Sequence, residues 1–218
     1  MNINDNFTYE LNKTEKLETY EWDNLWWEHA NDPSKERILI IGDSITCGYR
    51  GIVNKILQGE SYADGLGTSK SVDNPKMFAL IDYVLSQQSN CKLIQFNNGL
   101  HGWHLDVQAY KEYYWQIVKY LKEKYPDKKL VLVLTTPVRD NTNLQNMAER
   151  NAEVIRRNQA VREIAASENI PVNDLYEVII QHPEVYSPDG VHLLQEGYEM
   201  LAQKCVEINE QVLCEHSE

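Results

Sequence analysis

Two short stretches near opposite ends of this 218-residue chain carry side chains that together could make an activated nucleophile. The first is Gly42-Asp43-Ser44-Ile45-Thr46, directly after the apolar run from Arg37 to Gly42. A serine just past a buried strand and ahead of a helix presents its hydroxyl to a crevice. Nearby backbone N–H groups can stabilise negative charge there. The second stretch is Ser187-Pro188-Asp189-Gly190-Val191-His192-Leu193. Pro-Asp-Gly is turn chemistry, and a histidine three residues after the aspartate projects from the same turn. A serine hydroxyl is a poor nucleophile near neutral pH and needs a base. His192 is the candidate base, and Asp189 is the carboxylate that would orient its ring and stabilise the imidazolium. Each residue also has a plainer use: Asp43 or Ser44 as a helix cap, Asp189 as a turn former, His192 as a surface histidine.

These residues act together only if the fold brings both stretches to one place. Apolar runs at 37–42, 92–96 and 130–134, with a short one at 170–172, predict strands. The run at 130–134 is continuous, as in a strand covered on both faces. Helical spacing marks residues 51–57, 75–87, 106–124, 144–167 and 195–213. Gly65, Gly67, Thr68, Ser69 and Asp73 predict a long loop. Alternating strands and helices imply an α/β fold, a parallel sheet with helices on both faces joined by right-handed crossovers. Ligands in such sheets bind beyond the carboxyl ends of the strands, where both stretches fall. Residues 1–35 are expected as an N-terminal extension packed on a domain of residues 36–218. Its Trp22, Trp26 and Trp27 are too much apolar area to leave in water. They either pack across the domain or make a sugar-stacking platform near the site.

Gly42-Asp43-Ser44 near the start and Asp189-Gly-Val-His192 near the end resemble the SGNH hydrolases, the GDSL esterase/lipase family. The resemblance runs from Arg37 to the closing helix. It implies a flavodoxin-like three-layer sandwich with a five-stranded parallel sheet, and ester hydrolysis by Ser44, His192 and Asp189 without metal or organic cofactor. The family also places a glycine after its second strand and Gly-x-Asn-Asp after its third, both as donors to the oxyanion. Here the third strand ends in Phe96-Asn97-Asn98-Gly99-Leu100-His101-Gly102. Aligned on Gly99, His101 stands in place of the asparagine and Gly102 in place of the aspartate. A neutral histidine has one N–H and can still donate. Asn98 is the other candidate, expected to matter less because it precedes the glycine and would brace the turn. Gly67 is the choice for the glycine. The expected oxyanion hole is therefore the backbone N–H groups of Ser44 and Gly67 with a side chain from His101 or Asn98. The next strand ends in Thr135-Thr136-Pro137-Val138-Arg139, where Arg139 would bind a polar substrate or pair with the acidic surface. With residues 97–101, this set resembles a branch associated with carbohydrate O-acetyl groups.

Composition narrows the partners. Lys and Arg total 21 against 33 Asp and Glu, a formal net charge of -12. Such a surface repels phosphate backbones and anionic lipid, so a small-molecule ester is expected, not nucleic acid or a membrane. No long uncharged apolar stretch suggests a membrane span, and the polar, acidic first ten residues lack the pattern of a secretory signal. Cys47, Cys91, Cys205 and Cys214 have no metal-ligand spacing and read as reduced thiols of a cytoplasmic protein. His101 and His104 lack acidic or thiol partners at ligand spacing, so no metal is expected. The reading is a serine esterase acting on small acyl esters, acetyl first, of carbohydrates. A thioesterase or lysophospholipase of the same fold is disfavoured by the polar residues after Gly65. A catalytically silent carbohydrate-binding protein is disfavoured by the presence of Ser44, Asp189 and His192 together.

Overall fold

Short apolar runs alternate with amphipathic helices in the computed structural model, which describes residues 17–214. In chain order they are β1 (Asp23–Trp26), β2 (Arg37–Gly42), α1 (Ser44–Leu57), β3 (Tyr62–Thr68), α2 (Lys76–Ser86), β4 (Cys91–Phe96) and α3 (Val107–Lys124). There follow β5 (Lys129–Val133), β6 (Arg139–Asp140), β7 (Asn143–Met147), α4 (Asn151–Glu168), β8 (Val172–Asn173), α5 (Leu175–Ile179) and α6 (Gln195–Cys214). The main sheet has the spatial order β1-β3-β2-β4-β5-β8. Its five parallel strands follow the flavodoxin-like order, in which the first strand of the series lies between the second and third. A sixth strand, β1, joins β3 antiparallel at the edge, with Asp23 opposite Thr68 and Trp26 opposite Gly65.

Side chains alternate across a strand, so β2 feeds two cores. Leu39 and Ile41 pack with Met77, Ile81, Tyr110, Tyr114 and Val161 on one face. Ile38 and Ile40 pack with Tyr49, Val53, Leu201 and Cys205 on the other. All six residues of β2 are buried, and of their side chains only that of Arg37, at its start, is polar.

Three elements differ from the sequence expectation. Residues 62–68 form a strand where a loop was expected, because two glycines interrupt the apolar alternation. Those glycines let α1 lie close: a Cβ on Gly65 would sit 2.4 Å from Arg50 Cδ, and one on Gly67 2.3 Å from Cys47 Sγ. Helix α1 starts at Ser44, well before residue 51, with Asp43 as its cap. Helix α4 starts at Asn151, not 144, because β6 and β7 form a hairpin first.

The segment before β2 is anchored by a buried ion pair. The Arg37 guanidinium, 1% exposed, donates to Asp64 Oδ1 at 2.7 Å and to the carbonyls of His29 and Asp32. Asp64 also accepts the Glu28 N–H. Of the expected extension, residues 1–16 lie outside the described residues, as does the polar stretch at its start. Removing one partner of a buried pair strands the other charge, so Asp64→Ala should cost about 3 kcal/mol or more. Urea denaturation checks this, and a loss below about 1 kcal/mol would contradict the anchoring role.

Candidate active site

Ser44 opens α1 at the carboxyl end of β2, where the Asp43 carboxylate caps the helix by accepting the Ile45 N–H at 2.9 Å. His192 reaches it from the loop before α6, and its Nε2 lies 2.8 Å from Ser44 Oγ. His192 Nδ1 lies 2.6 Å from Asp189 Oδ2. Asp189 is acceptor-only when ionised, so Nδ1 carries the proton and Nε2 is left to accept the Ser44 hydroxyl hydrogen. Asp189 Oδ1 also accepts the N–H groups of Val191 and His192 and the Ser187 hydroxyl. Partial burial pushes the Asp189 carboxyl up, but the hydrogen bonds from His192, Val191 and Ser187 outweigh it and hold it well below its ordinary 3.8. Those bonds therefore brace the loop above pH 3.8 and are lost only as the pH falls through the depressed value. Activity lost on mild acidification does not come from Asp189. Cys47 stays a thiol next to this group, because burial first and the Asp43 charge second push its pKa up.

Two buried arginines hold the loops that surround Ser44. Arg139 donates through its side chain to the carbonyls of Leu144 and Ile180, and its guanidinium lies over the Tyr186 ring. Its own N–H donates to the Gly190 carbonyl at 2.7 Å, inside the turn that carries Asp189 and His192. Gly190 has φ +73°, and a Cβ there would lie 2.1 Å from the Arg139 carbonyl oxygen, so only glycine fits. Arg139 thus faces neither substrate nor the acidic surface, the two fates expected from sequence. Arg157 of α4 donates to the carbonyls of Gly99, His101 and Gly102 and packs between Trp103 and Tyr110.

The oxyanion candidates are less uniform. Gly67 lies inside β3. Tyr62 N–H donates to Glu36 O on the β2 side, and Ser69 N–H donates to Trp22 O on the β1 side. Backbone groups alternate along a strand, so the Gly67 N–H faces Asn24 of β1 and serves the edge ladder. Asn98 is buried after β4 and donates through Nδ2 to the Lys70 carbonyl, after β3, at 2.7 Å. Because β2 lies between β3 and β4, this bond crosses the end of β2, where Asp43 and Ser44 follow. The second N–H of the amide is free among the described residues. His101 stands at the rim: its Nδ1 is 3.5 Å from Glu18 Oε1, and its ring meets Trp22 edge-on with centroids 6.4 Å apart. Glu18 also accepts the Gly102 N–H at 2.8 Å. No periodicity or motif ties residue 18 to residue 101, so the sequence carries no sign of this contact.

Of the three tryptophans of the N-terminal segment, only Trp22 borders His101. Trp26 is exposed at the sheet edge beneath Arg50, and Trp27 donates to the Val84 carbonyl. Among the described residues no group of acidic, thiol or imidazole side chains is arranged to hold a metal ion. No described helix is long and apolar enough to cross a membrane. If Arg139 acts by positioning, Arg139→Lys should lower kcat at least about tenfold with little change in KM, since an ammonium cannot span both carbonyls. Steady-state kinetics on a small ester checks this. An unchanged kcat would remove Arg139 from the account.

Several solved structures share this fold. An acetyl xylan esterase has 20% identity and a TM-score of 0.63, over 79% of this chain and 98% of that one. A carbohydrate acetylesterase from Sinorhizobium meliloti has 15% identity and a TM-score of 0.67, over 81% and 99%. An aryl esterase from M. smegmatis has 16% identity and a TM-score of 0.67, over 81% and 99%. Comparison with curated protein sequences gives no match. Residues 93–200 match the GDSL-like lipase/acylhydrolase family, a span from β4 into α6 that includes Asp189 and His192. Over this span the chain is similar to the GDSL-like lipases/acylhydrolases, and with esterases among the structures of its fold it is a carboxylic ester hydrolase.

Proposed function

We propose that this protein is a serine esterase that removes short acyl groups, acetyl in particular, from carbohydrates. The observation that carries the reading is the continuous relay from Ser44 Oγ to His192 Nε2 and from Nδ1 to Asp189. Ser44 Oγ attacks the ester carbonyl carbon as its proton passes to His192 Nε2. Asp189 stabilises the imidazolium without taking its proton. The carbonyl oxygen, now negative, receives the Ser44 backbone N–H and the unspent N–H of Asn98. His101 and the backbone of Gly67, the other candidates, do not carry this role. Collapse of the tetrahedral adduct breaks the bond to the alcohol, which leaves with the proton from His192. A water then attacks the acyl-serine, gives a proton to His192, and the adduct breaks down to the free acid and Ser44.

The side chains of His192 and Asp189 are about half exposed, so the leaving-alcohol side opens to solvent. That favours a bulky, hydrophilic alcohol such as a sugar. Two of the structures of this fold are named as esterases of acetylated carbohydrate, which is consistent with the same class of substrate.

Acetate release from a panel of acetylated oligosaccharides tests this reading. The wild type should release acetate and label with a fluorophosphonate. Ser44→Ala should do neither while keeping its circular dichroism spectrum, and hydrolysis unchanged in that variant would overturn the nucleophile. Asn98→Ala should lower kcat by about a hundredfold or more, the usual loss for one oxyanion donor. His101→Ala should fall well short of that, and the opposite ranking would return the role to His101.

A further inference from the structure

We infer that Trp22, from the segment before β1, closes the acyl side of the site and restricts the enzyme to short acyl groups; this rests on the esterase reading above. His192 must stand over the leaving oxygen to protonate it, so the acyl chain extends from the carbonyl carbon away from His192. The loop that carries His192 is braced by Arg139, on the β5 and β8 side of Ser44. Trp22 sits on the other side, beside the carboxyl end of β3. Its ring bridges the two strands that flank β2. On the β3 side, a Cβ built on Gly67 would lie 3.5 Å from Trp22 Cζ3 and 3.4 Å from the carbonyl oxygen of Asp43, the residue before the nucleophile. On the β4 side, the ring meets His101 at 76°.

The ring is set on a fixed backbone. Trp22 N–H donates to Ser69 Oγ at 2.8 Å, and Trp22 O accepts the Ser69 N–H at 3.1 Å. On either side of it, Glu21 and Asp23 both pair with Lys70. An indole held between the ends of β3 and β4 would obstruct a long acyl chain far more than a methyl group. Specificity of this kind needs no change in the reacting residues, and Trp22 touches none of them.

Rates on the 4-nitrophenyl esters of acetate, butyrate and octanoate test the inference in the full chain. In Trp22→Ala the ratio of kcat/KM for octanoate over acetate should rise at least about tenfold, the scale on which a hydrophobic pocket discriminates. Trp22→Phe, which keeps an aromatic ring and guards against misfolding of the first variant, should give a smaller rise in the same direction. Fluorophosphonate labelling should stay close to wild type in both. An unchanged ratio in variants that label normally overturns the inference and leaves the esterase reading intact. A wild type that neither labels nor hydrolyses acetate overturns both.

Discussion

Every parallel strand of this sheet must be covered on both faces, and that constraint decides where chemistry can occur. Beyond Arg37 at its start, β2 carries no polar side chain, and Ile38 to Ile41 enter one core or the other. Reactive groups have to sit where strands stop, and there the backbone loses its ladder partners and needs others. The chain meets that need from within. Asn97 donates from the end of β4 to the Val133 carbonyl and to Thr135 Oγ1. Asn158 of α4 both accepts from Thr135 N–H and donates to Thr135 O. Arg139 and Arg157 do the same for longer loops. The strand ends are thus rigid before any substrate arrives, which is what a charge-stabilising site requires.

How far the sequence reveals the site follows from how local each signal is. Ser44 is legible because a strand, a glycine and a helix start are adjacent in the chain. Asp189 and His192 are legible because one turn carries both. The oxyanion side chain is not, since Asn98 and His101 lie three residues apart in one loop and their roles depend on which strands neighbour β2. Aligned on Gly99 the chain points to His101, whereas the strand order points to Asn98. Gly67 was misplaced for a related reason: without the pairing of β1, residues 62–68 look like an irregular loop.

The elements show the same division. Continuous apolar runs such as β5 stand out, and the long helices α3 and α6 keep their period. Strand β3 and the β6–β7 hairpin do not: β3 carries glycines that admit α1, and the hairpin is short, polar and mostly exposed, with no apolar alternation to mark it. Arg139 reads from sequence as a substrate-binding or surface arginine, since nothing in a single sequence tells a guanidinium that caps loop carbonyls from one that faces substrate or water.

The edge strand has one further consequence. Trp22 is joined to the rest of the molecule by contacts more than forty residues away in sequence, whereas α1 packs against the main sheet and α6, and the loop before α6 is tied to the main body through Arg139. The segment that carries Trp22 is therefore poised to detach locally while the sheet and the reacting residues remain assembled. Substrate selectivity and catalytic competence would then have separate melting transitions. As the protein is warmed, or as urea is added, it should lose its discrimination against bulky esters before it loses the power to hydrolyse small ones.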